Sequence, residues 1–407
     1  MSGTSYLAFS QWFIAAEQPP HLAAINPNEG LSDAYRDLSM RGGMPDLWFT
    51  KRLQVNHVNA DTGKTLREDV YEEALRYPLA NHPVWKDKIA RFDKIKVPAY
   101  VVASYSNTLH TQGTFRAWRR MASTKKWLRI HNSQEWPDYY DEVNTEDRRR
   151  FFDYYLKGVK NGWQQTPRVC YAVLDMEGGD ILNLPATQFP PQDVKYTKYY
   201  PDGKLRTLTP SSPTQEVKVM YDTETDPATA SFITRFDRKT VMVGYSKVHL
   251  WVEAEGADDM DLFLLVQKLD VHGNPLSGFL VPNQGAMMHD LTERSGSVLR
   301  YKGPNGRLRI SARHLDEELS TGIIPAHSFD RVEKLKPGEI VEIEIDMSPI
   351  GMVFYPGEQL RLVISARNDL GAIMPGTPAY IPENKGKHSI HTGGTRASYL
   401  QLPVKPV

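Results

Sequence analysis

The texture of the sequence changes near residue 190, and this change constrains the fold more than any other feature. Before it, strand-like and helical patterns alternate: the apolar run Val97–Ser104 has strand length, and the helical pattern Gly113–Met121 follows it. Such alternation is typical of an α/β domain with a parallel sheet. After it, short strand patterns are separated by turns rich in Gly, Pro and Asp, which favours an antiparallel sandwich or jelly roll. The sequence therefore predicts two domains, residues 1–190 and 191–407.

Further patterns define the elements of each half. In the first half, the further predicted helices are Phe9–Glu17 and Thr145–Lys157, and the further predicted strands are Leu22–Asn26 and Trp127–Ile130. In the second half, the predicted strands are Lys247–Ala254, Met260–Leu269, Arg307–Ala312, Glu339–Met347 and Gln359–Ala366. Three parallel strands, near Leu22, Val97 and Trp127, would leave one edge bare beside Leu22–Asn26. A bare edge of a buried sheet favours self-association, so a homo-oligomer is an expected state.

Composition excludes several classes of function. Lys plus Arg and Asp plus Glu both number 49, so the formal net charge is zero, which argues against a nucleic-acid partner and an anionic membrane. One cysteine, Cys170, excludes an internal disulfide and any multi-cysteine metal site. His388 and His391 lie three apart without a third ligand nearby, so no metal and no cofactor are expected. No signal peptide or membrane span is visible, and a cytoplasmic location is expected.

The first residues carry the pattern that points to chemistry. A serine nucleophile needs a sharp turn between a strand and a helix, with small residues where the two backbones approach, and the usual pattern is G-x-S-x-G. Here Gly3 lies two residues before Ser5, Leu7 lies two after it, and Ala8 is the nearest small residue beyond. A helical pattern begins immediately after Ser5. The amide of Tyr6 would then lie where an oxyanion donor belongs.

These residues resemble a known family. Gly3-Thr4-Ser5-Tyr6-Leu7-Ala8 is similar to the G-x-S-Y-x-G elbow of the X-Pro dipeptidyl-peptidase and CocE/NonD (cocaine esterase-like) family of α/β hydrolases. The resemblance continues in order along most of the chain, through Gln18–Leu22, Glu29–Arg36, Arg41–Gly43, Val97–Tyr100, Phe151–Gly158, Gly306–Arg313, Pro356–Ser365 and Ser398–Pro403.

The resemblance implies a fold and an activity. The chain would be the C-terminal part of an α/β-hydrolase domain, with residues 31–93 as a helical cap, followed by a jelly-roll β-sandwich. The activity would be hydrolysis of a small ester or peptide substrate, with Ser5 attacking the carbonyl and the Tyr6 amide stabilising the oxyanion. A dipeptidyl-peptidase also needs a carboxylate for the substrate's α-amino group, and Glu29 and Asp33 are candidates.

The expected acid of a catalytic triad is replaced. In the family it follows the strand that corresponds to Val97–Ser104, in a Gly-Trp-Tyr-Asp-like stretch. This sequence has Ala103-Ser104-Tyr105-Ser106-Asn107, so Ser106 or Asn107 takes the acid's place. Neither carries the negative charge that stabilises an imidazolium, although Asn107 could hold a histidine tautomer. We therefore expect Asn107 at the acid's position.

The position of the catalytic base also differs from the family pattern. In the family the histidine follows the next strand, in a Gly-Pro-Trp-x-His-like stretch, where an ungapped comparison places Glu135. His131 lies four residues earlier, at the end of the predicted strand, and His110 is the other histidine nearby. We predict Ser5, His131 and Asn107 as the catalytic residues, with His110 and Glu135 as alternatives.

Two expectations follow from these departures. The chain begins two residues before Gly3, so the strand that normally leads into the elbow is expected to be missing, and the chain is expected to be a fragment that is inactive and aggregates when expressed alone. The alternative to a serine hydrolase is a catalytically silent family member with a role in binding or assembly. A carbohydrate-binding jelly roll is a third interpretation, for which Trp251 and Tyr245 would be the exposed aromatic residues.

Overall fold

The computed structural model describes residues 1–46, 49–51, 68–176, 178–279, 300–368 and 384–406. In these ranges the α-helices are Tyr6–Ala16 (α1), Val70–Arg76 (α2), Pro83–Lys86 (α3), Thr111–Arg120 (α4), Glu135–Tyr140 (α5) and Glu142–Lys157 (α6). The strands up to residue 190 are Ser2–Thr4 (β1), Asn26–Asn28 (β2), Met40–Arg41 (β3), Met44–Pro45 (β4), Ala99–Ser104 (β5), Lys126–His131 (β6), Val169–Val173 (β7) and Ile181–Ala186 (β8).

The second half is built of strands. They are Lys195–Asp202 (β9), Thr207–Thr209 (β10), Val217–Asp222 (β11), Thr229–Arg235 (β12), Thr240–Glu255 (β13), Asp261–Leu269 (β14), Gly278–Phe279 (β15), Arg300–Tyr301 (β16), Asn305–Arg309 (β17), Val341–Phe354 (β18), Gln359–Ser365 (β19), Lys387–Thr392 (β20) and Tyr399–Lys405 (β21). Most of them join one sheet in the order β11-β20-β13-β21-β9-β10-β12-β19-β14-β17, with β18 paired to β13.

The first sheet positions the candidate site. Its order is β1-β2-β5-β6-β7-β8, and its strands are parallel from β1 to β7. All six residues of β5 are buried, as the apolar run predicts for a strand covered on both faces. Helices α1 and α4 follow β1 and β5, so the carboxyl ends of β1, β2, β5 and β6 meet at one edge. Ligands of open α/β sheets bind at this kind of edge.

The sequence predicts no strand in front of Ser5, and this prediction is wrong. Ser2–Thr4 forms β1, which pairs in parallel with β2 so that Gly3 lies opposite Pro27. The strand is too short to show a hydrophobic period, which is why the sequence pattern does not reveal it. The edge beside β2 is therefore covered by β1.

The helix boundaries also differ from the predictions. Helix α1 begins at Tyr6, directly after Ser5 and three residues before the predicted segment Phe9–Glu17, and α4 covers Thr111–Arg120 instead of Gly113–Met121. Helix α6 begins at Glu142 because Asp141, rather than Thr145, accepts the hydrogen bond from the amide of Asn144. Gly158 ends it in the left-handed conformation, as glycine does at helix ends.

The predicted cap, residues 31–93, is described in part. It contains a π-helical turn at Tyr35–Ser39, the β3-β4 hairpin and helices α2 and α3, while residues 52–67 lie outside the described ranges. Tyr35 and Trp85 pack edge to face, with ring centroids 5.5 Å apart, and both belong to the hydrophobic core of the second sheet. The described part of the cap is thus anchored on the sandwich.

The two halves share a packed boundary. Phe189 and Tyr245 join the core of the first sheet together with Tyr105 and Phe115. A Cβ on Gly351 of β18 would lie 2.3 Å from the Tyr105 ring, so this close approach requires glycine. Tyr245 is buried in this boundary and Trp251 lies in β13, which does not give the exposed aromatic strip that a carbohydrate-binding surface needs. No helix in the described part of the chain is long and apolar enough to span a membrane.

Protonation of a buried histidine should destabilise the sandwich in acid. His388 of β20 is fully buried, its Nδ1 lies 3.2 Å from the Tyr221 hydroxyl, and burial lowers its pKa to about 4. The unfolded chain takes up a proton near pH ~6.5, whereas the folded chain takes it up only near pH 4, so stability is lost as pH falls through this window. We expect wild type to lose about 3 kcal/mol more than His388→Gln between pH 7 and 4. Urea unfolding of both proteins across this range measures it, and a constant difference between them would contradict the assignment.

Candidate active site

Ser5 lies in the sharp turn between β1 and α1. Its backbone has φ 60° and ψ −116°, a conformation that costs a residue other than glycine of the order of 1–3 kcal/mol. The Ser5 amide donates to the carbonyls of Asn28 and Glu29, at 3.1 and 3.2 Å, and the Ser5 carbonyl accepts from Ala8 and Phe9 in the first turn of α1. Hydrogen bonds from both flanking elements therefore hold the strained residue in place.

Small residues lie where the backbones approach, although the spacing is unusual. A Cβ on Gly3 would lie 2.5 Å from the Cβ of Leu7, and a Cβ on Gly30 would lie 2.8 Å from the Cβ of Ala8. Ala8 is fully buried, whereas Leu7 is 57% exposed. Ala8 is thus the small residue that the tight turn requires, and Leu7 points outward, so the departure of the sequence from G-x-S-x-G leaves the turn intact.

The Ser5 hydroxyl is hydrogen-bonded to a histidine. The distance from Ser5 Oγ to His110 Nε2 is 3.1 Å, and the distance from His110 Nδ1 to Glu135 Oε2 is 3.2 Å. His110 immediately precedes α4, after β5, and Glu135 is the first residue of α5, after β6. A hydroxyl, an imidazole and a carboxylate in this order are the arrangement that activates a serine nucleophile.

Asn107 connects two carboxylates beside this group. Its Nδ2 donates to Glu29 Oε2 at 2.8 Å and to Glu135 Oε2, and its Oδ1 accepts from the amides of Leu109 and His110. The amide of Asn107 thus uses both of its hydrogens on carboxylates. We therefore assign the tautomer in which His110 carries its proton on Nδ1 and donates it in a hydrogen bond to Glu135. The lone pair of Nε2 is then available to the Ser5 hydroxyl.

His131, the histidine predicted as the base, contacts other groups. Its Nε2 lies 2.8 Å from Glu29 Oε1, and its Nδ1 lies 3.2 Å from Ser133 Oγ and 3.5 Å from Asp138 Oδ1. Glu29 is almost fully buried, with φ 46°. The structure therefore brings Ser5 together with His110 and Glu135, and pairs His131 with Glu29 in a second, adjacent group.

The remaining predicted positions are also placed by the structure. The Ser106 hydroxyl donates to the carbonyl of Asn132 at 2.6 Å and contacts Ser104 Oγ, so it is engaged inside the fold. Tyr6 is the first residue of α1, where amides lack partners within the helix. Its side chain is 76% exposed.

The electrostatics of the group favour an ionised Glu135 carboxylate beside a His110 of raised basicity. Burial raises the pKa of Glu135, but hydrogen bonds from His110 and Asn107 outweigh this and the net pKa is lowered. Burial lowers the pKa of His110, but the hydrogen bond and charge of Glu135, with the charge of Glu29, raise it above its ordinary value. Burial raises the pKa of Glu29, against the opposing charge of His131. Glu135 is thus the carboxylate better suited to stabilise an imidazolium.

The same side chains offer two carboxylates and one imidazole, which are groups that metals bind. Among the described residues, Glu29, His110 and Glu135 offer atoms within 4.8 Å of one another. The Nδ2 of Asn107 already lies 2.8 Å from Glu29 and 2.9 Å from His110 Nδ1, and it also donates to Glu135. A polarised amide thus occupies the point where a cation would bind, and the arrangement fits a hydrogen-bond network rather than a metal site.

Comparisons with known proteins agree with this fold. The family profile of the X-Pro dipeptidyl-peptidase (S15 family) matches residues 1–134, and that of the X-Pro dipeptidyl-peptidase C-terminal non-catalytic domain matches residues 161–401. No curated protein matches the sequence significantly. A CocE/NonD family hydrolase from Staphylococcus aureus has a similar structure, with a TM-score of 0.88 and 34% sequence identity over 99% of this chain and 71% of that chain.

More distant structures share the fold alone. An aminopeptidase from a marine sediment archaeon, Thaumarchaeota archaeon, has a TM-score of 0.70, and an α-amino acid ester hydrolase has one of 0.69. Both are 14% identical and cover 100% of this chain and 76% of their own. The predicted fold class, an α/β-hydrolase domain followed by a β-sandwich, is confirmed. The chain belongs to the X-Pro dipeptidyl-peptidase and CocE/NonD family of hydrolases.

Proposed function

We propose that this hydrolase acts as a serine hydrolase, which transfers the acyl group of an ester or amide to Ser5 and then to water. The observation that carries the proposal is the hydrogen bond between Ser5 Oγ and His110 Nε2, continued from His110 Nδ1 to Glu135. A serine hydroxyl is a weak nucleophile until a neighbouring base takes its proton. His110 is in position to do so, and it takes the role that the sequence assigns to His131.

The proposed reaction has two halves. Ser5 Oγ attacks the carbonyl carbon while its proton moves to His110 Nε2, and the resulting oxyanion accepts a hydrogen bond from the Tyr6 amide. His110 then gives the proton to the leaving alcohol or amine, which leaves the acyl group on Ser5 as an ester. Water attacks this ester with His110 again as base, and the carboxylic acid and the free serine are released.

Glu135 takes the role of the acid in this proposal, in place of Asn107. Its carboxylate accepts the Nδ1 proton of His110 and balances the charge of the imidazolium. Asn107 is a positioning residue. Its Nδ2 donates to both Glu135 and Glu29, and its Oδ1 accepts from the amide of His110 and so fixes the turn in front of that residue. Base and acid thus follow β5 and β6 in the reverse of the family order that the resemblance implied.

Neither carboxylate considered for a substrate amino group is free. Glu29 contacts Asn107 and His131. Asp33 accepts from the amide of Tyr35 and from both the amide and the guanidinium of Arg36. The proposal therefore covers esters and amides as a class and assigns no dipeptidyl specificity.

The role of Glu135 is tested by the pH dependence of ester hydrolysis. His110 must be neutral to act as base, and its pKa is raised by Glu135, so kcat/KM for a p-nitrophenyl ester should rise with pH with a midpoint above ~6.5. Glu135→Gln should lower kcat/KM by about 10³–10⁴-fold and move the midpoint to lower pH. Glu142→Gln, exposed at the start of α6, is the matched control and should change neither.

The same assay decides between this proposal and a silent scaffold. Turnover with the stated pH midpoint supports the triad and overturns the expectation that the chain alone is inactive. A purified, folded chain without turnover or a pH-dependent step would instead support the alternative role in binding or assembly.

A further inference from the structure

A cavity rich in arginine lies apart from the Ser5 group. It has a volume of about 130 Å³ and lies between α4, the cap segment around Arg36 and strand β17. On this measure a water occupies ~10–15 Å³, so roughly ten water-sized groups fit. Six arginines line it: Arg36, Arg41, Arg116, Arg119, Arg120 and Arg307. Ser5, His110 and Glu135 are not among its lining residues.

Four of these arginines form ion pairs with carboxylates. Asp33 lies 2.8 Å from Arg36, and Asp37 lies 2.5 Å from Arg116. Asp46 serves two arginines at once, at 3.2 Å from Arg41 and 2.7 Å from Arg307. The carboxylates hold these four guanidiniums in place at the cavity wall, and the carbonyls of His327 and Thr108 accept further hydrogen bonds from Arg36 and Arg41.

The other two arginines are held by aromatic rings. Arg119 lies 4.8 Å from the centroid of the Tyr245 ring, and Arg120 lies 5.9 Å from that of Phe92. Among the described residues, neither has a carboxylate within 4.0 Å. A ring occupies the face of a guanidinium and leaves its edge, which carries the donors, open. Both residues are exposed to solvent at the rim.

Positive charge therefore predominates in the cavity. Asp346 is the acidic residue among the lining residues that the structure describes. Counted with Asp33, Asp37 and Asp46, it leaves four carboxylates against six guanidiniums.

A buried neutral histidine completes the wall. His327 is 4% exposed and its Nε2 has no hydrogen-bond partner, nor does the buried Nε of Arg36. Both residues line the cavity, while these two unpaired atoms are themselves enclosed by protein and expose almost no surface to it.

We propose that this cavity binds a small polyanion with phosphate or carboxylate groups. Guanidinium donors match the oxygens of both groups in a bidentate way, and the excess of positive charge matches a ligand with at least two negative charges. The cavity shares Arg41, Gln112 and Asn305 with the small cleft beside Asn107, so the bound anion would lie along the helix that begins next to His110.

Calorimetric titration of the full chain tests the proposal at constant ionic strength. Pyrophosphate represents the phosphate source and succinate the carboxylate source, with sodium chloride as the control anion. We expect saturable binding of at least one of them, about 10²-fold weaker in the double variant Arg119→Gln/Arg120→Gln. Arg168→Gln, which removes an exposed arginine over the Trp127 ring at 4.3 Å, should bind as wild type does.

A second variant separates binding from folding. Gln112→Glu places a carboxylate in the cavity, where it would satisfy arginines and compete with the ligand. We expect it to abolish binding while the thermal midpoint without anion stays equal or rises. Binding of pyrophosphate alone would assign the phosphate source, and binding of succinate alone the carboxylate source. Absence of binding to both, or equal binding by wild type and the cavity variants, would overturn the proposal.

Discussion

Replacing His110 by Gln should lower kcat/KM for ester hydrolysis by at least ~10⁴-fold, because loss of the base removes nearly all of the catalysis that a triad provides. An amide cannot act as the base that accepts the proton of the Ser5 hydroxyl. The hydrogen bond of 3.1 Å between Ser5 Oγ and His110 Nε2 is the contact that this substitution removes.

His131→Gln is the matched variant for this experiment. His131 is also buried at the same sheet edge, but its Nε2 faces Glu29 at 2.8 Å, and the amide of Gln can still donate to that carboxylate. We expect less than a tenfold change in kcat/KM. The reverse outcome, a severe loss with His131→Gln and a mild one with His110→Gln, would restore His131 as the base and reject the arrangement proposed here.

Ser5→Ala should cause a loss as large as that of His110→Gln, and the double variant should be no worse than either single one. Nucleophile and base act as one unit, so removing the second partner has little left to remove. Ser10→Ala is the control on the same helix, where the hydroxyl donates to the carbonyl of Leu7 at 3.2 Å. It should keep wild-type activity.

Additive effects of the Ser5 and His110 substitutions on the activation free energy would contradict this prediction. If the double variant lost the product of the two single effects, Ser5 and His110 would act independently, and the hydrogen bond between them would have no catalytic meaning. The free energy of unfolding of each variant should be measured as well. Ala at position 5 removes the hydroxyl but must still adopt the strained φ of 60°.

Local sequence signals are sufficient to predict the turn at Ser5, the proposed nucleophile. Gly3 and Ser5, followed by a helical pattern, predicted the turn that the structure shows. The same pattern could not reveal that Ala8 takes the place of the missing second small residue. That depends on the contact of Ala8 with Gly30 on the neighbouring segment, where the added Cβ would come within 2.8 Å.

The partners of Ser5 could be predicted only as a set of candidates. His110, His131, Asn107 and Glu135 all follow two adjacent parallel strands, so their meeting at one sheet edge follows from topology. Which side chain reaches Ser5 depends on the turns that carry them. Asn107 fixes the turn before α4 through the amides of residues 109 and 110, and this directs His110 toward Ser5.

The sequence pattern does not place Glu29 beside Ser5, for a related reason. It follows β2, which lies between β1 and β5, so the order of the strands already places it beside the other candidates. Its short strand has no hydrophobic period, and the predicted strand Leu22–Asn26 ended before it. A strand of three residues is too short for a sequence pattern to reveal.

Mapping the adduct of a fluorophosphonate probe shows whether Ser5 Oγ is a nucleophile that His110 activates. Mass spectrometry of the digested, labelled protein should place one adduct on Ser5 in wild type, with labelling absent in Ser5→Ala and strongly slowed in His110→Gln. An adduct on another residue, or labelling of Ser5 at the same rate without His110, would contradict the account.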